Sequence, residues 1–309
     1  MKAISLSSEG SAFITPPLDP WATIAGVNTS PAPQPIEHYE NFPVASWLCP
    51  PRLRAPIAAI YHFARTADDI ADEGDASAQQ RLDDLATYRA DLLAMATGQP
   101  ASGRWPLVFG PLQAMLQAFQ LPLPLLTDLL DAFTQDVRKT RNHASYADQA
   151  ELLDYCRRSA NPVGRLLLHL YGVQDEAALT QSDAICSALQ LINFWQDLSR
   201  DIPRGRHYLT DADCEAFGVT RAELQALQQT PNATKLIAAQ VKMARAMMQK
   251  GTELVHHLPG RAGWELRLVV QGGLRILDKI EALDYATLQT RPTLKSWDAA
   301  VMLWRALWM

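Results

Sequence analysis

From Glu37 almost to the C-terminus the apolar residues recur with helical spacing, and no stretch alternates β-branched and aromatic residues as a strand would. Ala, Leu, Gln and Arg dominate this region, all good helix formers. The pattern predicts an all-α protein, with helices near 38–48, 52–73, 77–97, 106–119, 123–138, 148–171, 176–200, 220–228, 231–257, 261–287 and 295–307. Breaks fall at Pro50-Pro51, Gly74, Gly98 to Gly103, Pro122, Asn142, Gly172, Pro203 and Pro259-Gly260. No shift in composition marks a second domain, so residues 36–309 are expected to share one. At 48% hydrophobic, a chain of this length buries a sizeable core. Residues 1–35 differ: they carry six prolines among Ser, Thr and Gly and are expected to form a disordered or loosely attached tail.

The composition also excludes classes of function. A net charge of −5 argues against a nucleic-acid partner and against electrostatic attraction to anionic lipid. The N-terminus has no apolar core of a signal peptide, and no 18 apolar residues run uninterrupted. Cys49, Cys156, Cys186 and Cys214 are scattered without ligand spacing, as in a reduced cytoplasmic protein. The histidines show no ligand spacing with Cys or Glu either.

Against this apolar background two polar stripes stand out. In "FARTADDIADEG" the face marked by Ile57, Ile60, Tyr61 and Ala64 continues onto Asp68 and Asp72. Those two carboxylates, at i and i+4, are helix-surface neighbours about 6 Å apart. Asp69 lies about 100° round the helix and is expected to support them; Glu73 is expected to be solvated. In "QLINFWQDLSRDIP", Asn193, Asp197 and Asp201 recur at i, i+4 and i+8 on a helix otherwise apolar almost all round.

A single acidic run is most often a solvated helix end. Two such stripes on core-facing helices call for another account, because uncompensated buried carboxylates cost several kcal/mol each or neutralise. Burial is tolerable where each cluster binds a hard cation. Magnesium takes oxygen ligands and is commonly shared with substrate phosphates. Mg²⁺ bridging Asp68, Asp72, Asn193, Asp197 and Asp201 to a diphosphate is the simplest chemistry that uses all five.

These motifs resemble the squalene/phytoene synthase family of head-to-head prenyl synthases, over about residues 37 to 291. The family's first motif, an Arg followed by DxxxD, is matched by Arg65, Asp68 and Asp72. Its second is matched by Asn193, Asp197 and Asp201, with Gln190 before it. In "IPRGRHYLT", Arg206 and Tyr208 match basic and aromatic positions near the diphosphate. "DYCRRSANPVG" resembles the family's kinked helix, with Tyr155 on a tyrosine discussed as an acid/base and Val163 and Gly164 on hydrocarbon-pocket positions. "ENFPVAS" resembles a diphosphate-holding segment, with Asn41 in place of the usual Ser, then Phe42. Further departures are Ser159-Ala160-Asn161-Pro162 in the kinked helix and Gln196 where Arg is usual. Together they resemble the bacterial branch that takes presqualene diphosphate and delivers a product keeping a hydroxyl from water.

The resemblance implies an isoprenoid synthase helical bundle around a central cavity. It implies two or three Mg²⁺ ions between the motifs, with Arg65, Arg206 and Arg291 binding diphosphate. Ring faces of Phe42, Tyr61, Phe63, Phe194 and Trp195 are candidates to stabilise a carbocation, core packing being the plainer role for each. Tyr155 would orient the capturing water or shuttle a proton to diphosphate; packing with a satisfied hydroxyl is its plainer role. "QGGLR" at 271–275 lacks the context of a dinucleotide fingerprint, so no NADPH is expected. A presqualene diphosphate synthase and a flavin-dependent reductase are the implied functional neighbours. Head-to-head condensation of two prenyl diphosphates, a class I terpene cyclase and a non-catalytic relative are the alternatives. The C-terminal "SWDAAVMLWRALWM" has three tryptophans and suits docking on the inner membrane face or packing against the bundle equally.

Overall fold

The computed structural model describes residues 49–309; the helix expected at 38–48, the N-terminal tail, Asn41 and Phe42 lie outside them. Among the described residues there are fourteen α-helices and no β-strand, with one isolated parallel bridge between Ser145 and His207. The first four are α1 (Pro51–Asp72), α2 (Ala78–Ala96), α3 (Pro106–Phe119) and α4 (Leu123–Arg141). Prolines open α1 and α3, where a missing N–H is harmless and the fixed φ already helical. Leu53, Ile57, Ile60 and Phe63 of α1 are buried against Leu85, Tyr88, Leu92, Leu112, Leu126 and Leu130 from α2, α3 and α4. Aromatic contacts run through this cluster, with Phe63 and Tyr88 stacked at 5.2 Å.

The chain continues through α5 (Gln149–Ser159), α6 (Asn161–Tyr171) and α7 (Glu176–Gln196). The stretch 148–171 reads as one helix in sequence; the structure divides it at Ala160, because Pro162 has no N–H for the ladder. Asn161 at the division is buried, and its side-chain oxygen accepts a 2.8 Å hydrogen bond from the Ser187 hydroxyl on α7. That bond accounts for the unusual Asn and fixes the kink to α7. The expected helix 176–200 likewise breaks at Asp197, and α8 (Leu198–Asp201) runs into a 3₁₀ turn at Ile202–Arg204 around Pro203.

Beyond lie α9 (Asp211–Phe217), α10 (Arg221–Gln225), α11 (Pro231–Gly251), α12 (Leu254–His257), α13 (Arg261–Ala282) and α14 (Ser296–Leu307). α9 has no apolar stripe and was not anticipated; its Thr210 cap and left-handed Gly218 bound it. A second core joins Ala188, Leu191, Ile192 and Trp195 of α7 to Leu236, Ile237, Val241 and Met248 of α11 and to Val270, Leu277 and Ile280 of α13. α7 and α11 approach closely at Gly251, where a Cβ would stand 2.5 Å from the Gln181 carbonyl oxygen.

Candidate active site

A cavity of about 860 Å³ opens between the two cores, lined by α1, the start of α2, α4, α5, α6, α7 and the segment from α8 to Tyr208. Both polar stripes face it: Asp68 and Asp72 from α1, and Gln190, Asn193, Asp197 and Asp201 from α7 and α8. Tyr61, Arg65, Tyr155, Val163, Phe194, Arg206 and Tyr208 also line it, with Asp136 of α4. The break at Asp197 lets the second stripe follow the wall rather than a straight helix axis.

Each stripe is held by arginine. Arg65 contacts Asp68 at 3.3 Å and Asp69 at 2.7 Å, so Asp69 shares the guanidinium while staying off the cavity wall. Arg206 hydrogen-bonds Asp72 across the cavity. Arg291, in the segment between α13 and α14, donates to Asp197 through Nε, and its Nη2 lies 3.4 Å from the second oxygen. Gln196 explains this placement: its buried amide donates a 2.8 Å hydrogen bond to the Pro292 carbonyl and so ties that segment beside the second stripe.

The crowding shows in the protonation equilibria. Burial, with Asp72 adding its charge, pushes Asp68 up to about 6 against Arg65 and Arg206. Burial pushes Asp201 up to about 7, opposed by Arg206 and reinforced by Asp197. Burial works against the charge on Arg206, but Tyr208, Asp72, Asp136 and Asp201 together hold it protonated. Carboxylates raised by burial and by one another are hard oxygen donors that a divalent cation would relieve. Among the described residues no three carboxylate, His or Cys groups converge closely enough to hold a metal by themselves. The donor set therefore fits ions shared with an anionic ligand rather than a closed protein cage.

Beside the carboxylates stands an aromatic wall. Phe194 and Tyr208 stack at 3.6 Å and 9°, and Tyr155 lies 6.1 Å from Phe194 and 5.6 Å from Tyr146. Phe63 and Trp195 do not contribute: both are fully buried in the cores, each on the far side of its helix. Val163 also borders a smaller apolar cavity of about 100 Å³, whose wall includes Gly164, Ile57, Leu168 and Leu189. Gly164 is needed because a Cβ there would meet Ser182 Oγ at 2.4 Å and Cys186 Sγ at 2.6 Å.

Asp136 was missed in the sequence, as were the basic side chains of Arg81, Arg141 and Arg204 at the cavity. The signal for Asp136 was present: Leu129, Phe133, Asp136 and Thr140 share one face of α4 at helical spacing, and all four line the cavity. Arg81 had no such signal. It donates to the carbonyls of Ile70, Glu73, Gly74 and Ala76 at 2.6–3.1 Å, closing the end of α1 just past Asp72.

An all-α bundle with facing aspartate stripes over an aromatic, apolar cavity defines an isoprenoid synthase. The chain belongs to the squalene/phytoene synthase family, whose profile matches residues 37–298. Members of this family are in general divalent-metal dependent. The chain is 33% identical over 263 residues to a hydroxysqualene synthase of Sinorhizobium fredii, covering 82% of each chain. It is also 33% identical to the hydroxysqualene synthase of Rhodopseudomonas palustris (79% of this chain, 80% of the relative), against 27% to that organism's presqualene diphosphate synthase. The crystal structure of squalene synthase HpnC from Alicyclobacillus acidocaldarius superposes with a TM-score of 0.72 at 35% identity, covering 80% of this chain and 90% of that one.

Proposed function

We propose that this enzyme ionises presqualene diphosphate, rearranges the resulting cation and lets water capture it, releasing hydroxysqualene and diphosphate. The observation that carries the reading is the convergence of both aspartate stripes, Arg65 and Arg206 on one cavity that also holds stacked aromatic rings. The higher identity to hydroxysqualene synthases than to a presqualene diphosphate synthase favours it over head-to-head condensation.

Asp68, Asp72, Asn193, Asp197 and Asp201 would hold Mg²⁺, which when bound supplies charge neutralisation for the departing diphosphate. Arg65, Arg206 and Arg291 bind the diphosphate oxygens by charge-assisted hydrogen bonds, and Gln190 and Tyr208 bound that end of the cavity. Asn41 and Phe42 belong to the same reading. The faces of Phe194, Tyr208 and Tyr61 stabilise the cation, and Val163 and Gly164 border the hydrocarbon chains. Tyr155 positions the capturing water. NADPH takes no part. The enzyme works between a presqualene diphosphate synthase and a flavin-dependent reductase at the inner face of the membrane, which the tryptophans of α14 touch.

The test is mass spectrometry of products from presqualene diphosphate and Mg²⁺ without NADPH, where hydroxysqualene is expected. A C30 product from farnesyl diphosphate alone would establish head-to-head coupling instead. Asp68→Ala and Asp197→Ala should each abolish Mg²⁺-dependent diphosphate release with the helical fold retained.

A further inference from the structure

Asp136 is set apart from the other cavity carboxylates. It projects from α4, outside both aspartate stripes, and no Lys or Arg among the described residues pairs with it directly. Its hydrogen-bond donor is the phenol of Tyr155, in a short contact. Tyr155 is itself buried within the aromatic wall, enclosed by Tyr146, Phe194 and Tyr208. Arg206, whose charge acts on Asp136, is already engaged by Asp72. The phenol thus lies between the cation-stabilising rings and a carboxylate that borders the same cavity.

Resting on the functional reading above, we infer that Asp136 is the proton acceptor of the water-capture step, acting through Tyr155. As the water oxygen bonds to the cationic carbon, its O–H bond breaks and the proton passes to the Tyr155 oxygen. Tyr155 in turn gives its own proton to the Asp136 carboxylate. The balance is one carbocation, one water and one carboxylate giving one alcohol and one carboxylic acid, with the diphosphate left as it departed. Burial pushes Asp136 up to about 7, against the hydrogen bond from Tyr155 and the charge of Arg206, which suits an acceptor working near neutrality. Tyr155 is held well above its ordinary value by burial and by Asp136, so it relays a proton without resting as phenolate. Tyr155 meets the water and relays its proton; Asp136 acts through it and takes the proton up.

The test uses the full chain with presqualene diphosphate and Mg²⁺, scoring diphosphate release and product identity separately. Asp136→Asn keeps the shape and cannot take up a proton. It is expected to release diphosphate within about threefold of wild type while the hydroxysqualene share falls by about 100-fold, replaced by alkenes formed by proton loss from carbon. Tyr155→Phe should give the same partition, and the double variant should be no worse than either single one. An unchanged product share overturns the inference, as does a parallel loss of release and product. A raised Mg²⁺ requirement in Asp136→Asn also overturns it, by making Asp136 part of the metal site. Wild type that yields no hydroxysqualene overturns the functional reading first, and this inference with it.

Discussion

Gly164 stands where α6 comes nearest to α7, and the structure leaves no room there for even one methyl group. Ser182 and Cys186 are short, packed side chains that cannot swing clear of a Cβ at 2.4–2.6 Å. Gly164→Ala is therefore expected to push α6 from α7 and destabilise the protein by about 1–3 kcal/mol, read as a lower urea midpoint with unchanged slope. An unchanged midpoint would mean the two helices give way freely. The resemblance placed Gly164 at a hydrocarbon pocket; the packing supplies a separate reason for glycine that needs no ligand. Asp136 teaches the converse. Its helical spacing from Leu129 and Phe133 was legible, but one carboxylate on an apolar stripe looks like a solvated one until its neighbours are known.

At the scale of elements, the ends of helices position the chemistry. Asp72 is the last residue of α1, and Arg81 of α2 holds that end by bonding the carbonyls of Ile70, Glu73, Gly74 and Ala76. Removing it leaves carbonyls unsatisfied and frees the first stripe to fray. Arg81→Ala should lower stability by about 1–2 kcal/mol and cut diphosphate release by about tenfold, whereas Arg81→Lys should restore part of both. α14 is anchored differently. Asp298, with its side chain 1% exposed, pairs with Arg275 at 2.7 Å and Lys279 at 2.8 Å on α13. Burial would raise its carboxyl, but Lys279, the Lys295 N–H and Arg275 hold it down at about 2, below the ordinary 3.8. A depressed carboxyl stabilises the fold above its unfolded value and loses that contribution as pH falls through the folded one. Asp298→Asn should thus lower stability at pH 7, by about 3 kcal/mol if both cations are left unpaired, read as a lower melting temperature, with the gap closing between about pH 4 and pH 2. A gap independent of pH would show that packing, not charge, anchors α14.

Over the whole molecule, the active cavity belongs to neither core alone: α1, α2 and α4 line it together with α5 to α8. Its acidic rim and apolar end divide a substrate of the proposed kind into head and tail. The outer surface carries a second asymmetry. Trp297, Leu303, Trp304 and Leu307 of α14 and Trp308 just past its end are 54–77% exposed, with Arg267 over the ring of Trp264 nearby. No described helix is long and apolar enough to cross a membrane. Exposed rings of this kind suit the headgroup boundary. Wild-type protein should co-sediment with phosphatidylcholine vesicles, and the Trp304→Ser/Trp308→Ser variant should stay in solution while turning over detergent-dispersed substrate normally. Equal sedimentation of the two would exclude α14 as the contact.

The amino-acid sequence alone determined the helical class, most helix positions and the two aspartate stripes, because 3.6-residue periodicity and Gly and Pro breaks are local properties of the chain. It also pointed to Arg65, Arg206 and Tyr155 through motif resemblance. Only the tertiary structure decided that Gln196 ties Arg291 to Asp197, that Arg81 closes α1, that Phe63 and Trp195 face the cores, and that Asp136 receives Tyr155. The physical reason is distance along the chain. Hydrogen bonds from the 5–11 positions spanned by Arg81 to the 96 between Gln196 and Pro292 all join one helix or segment to another, so they depend on how whole helices dock. Helix docking leaves no periodic mark at the residues it joins.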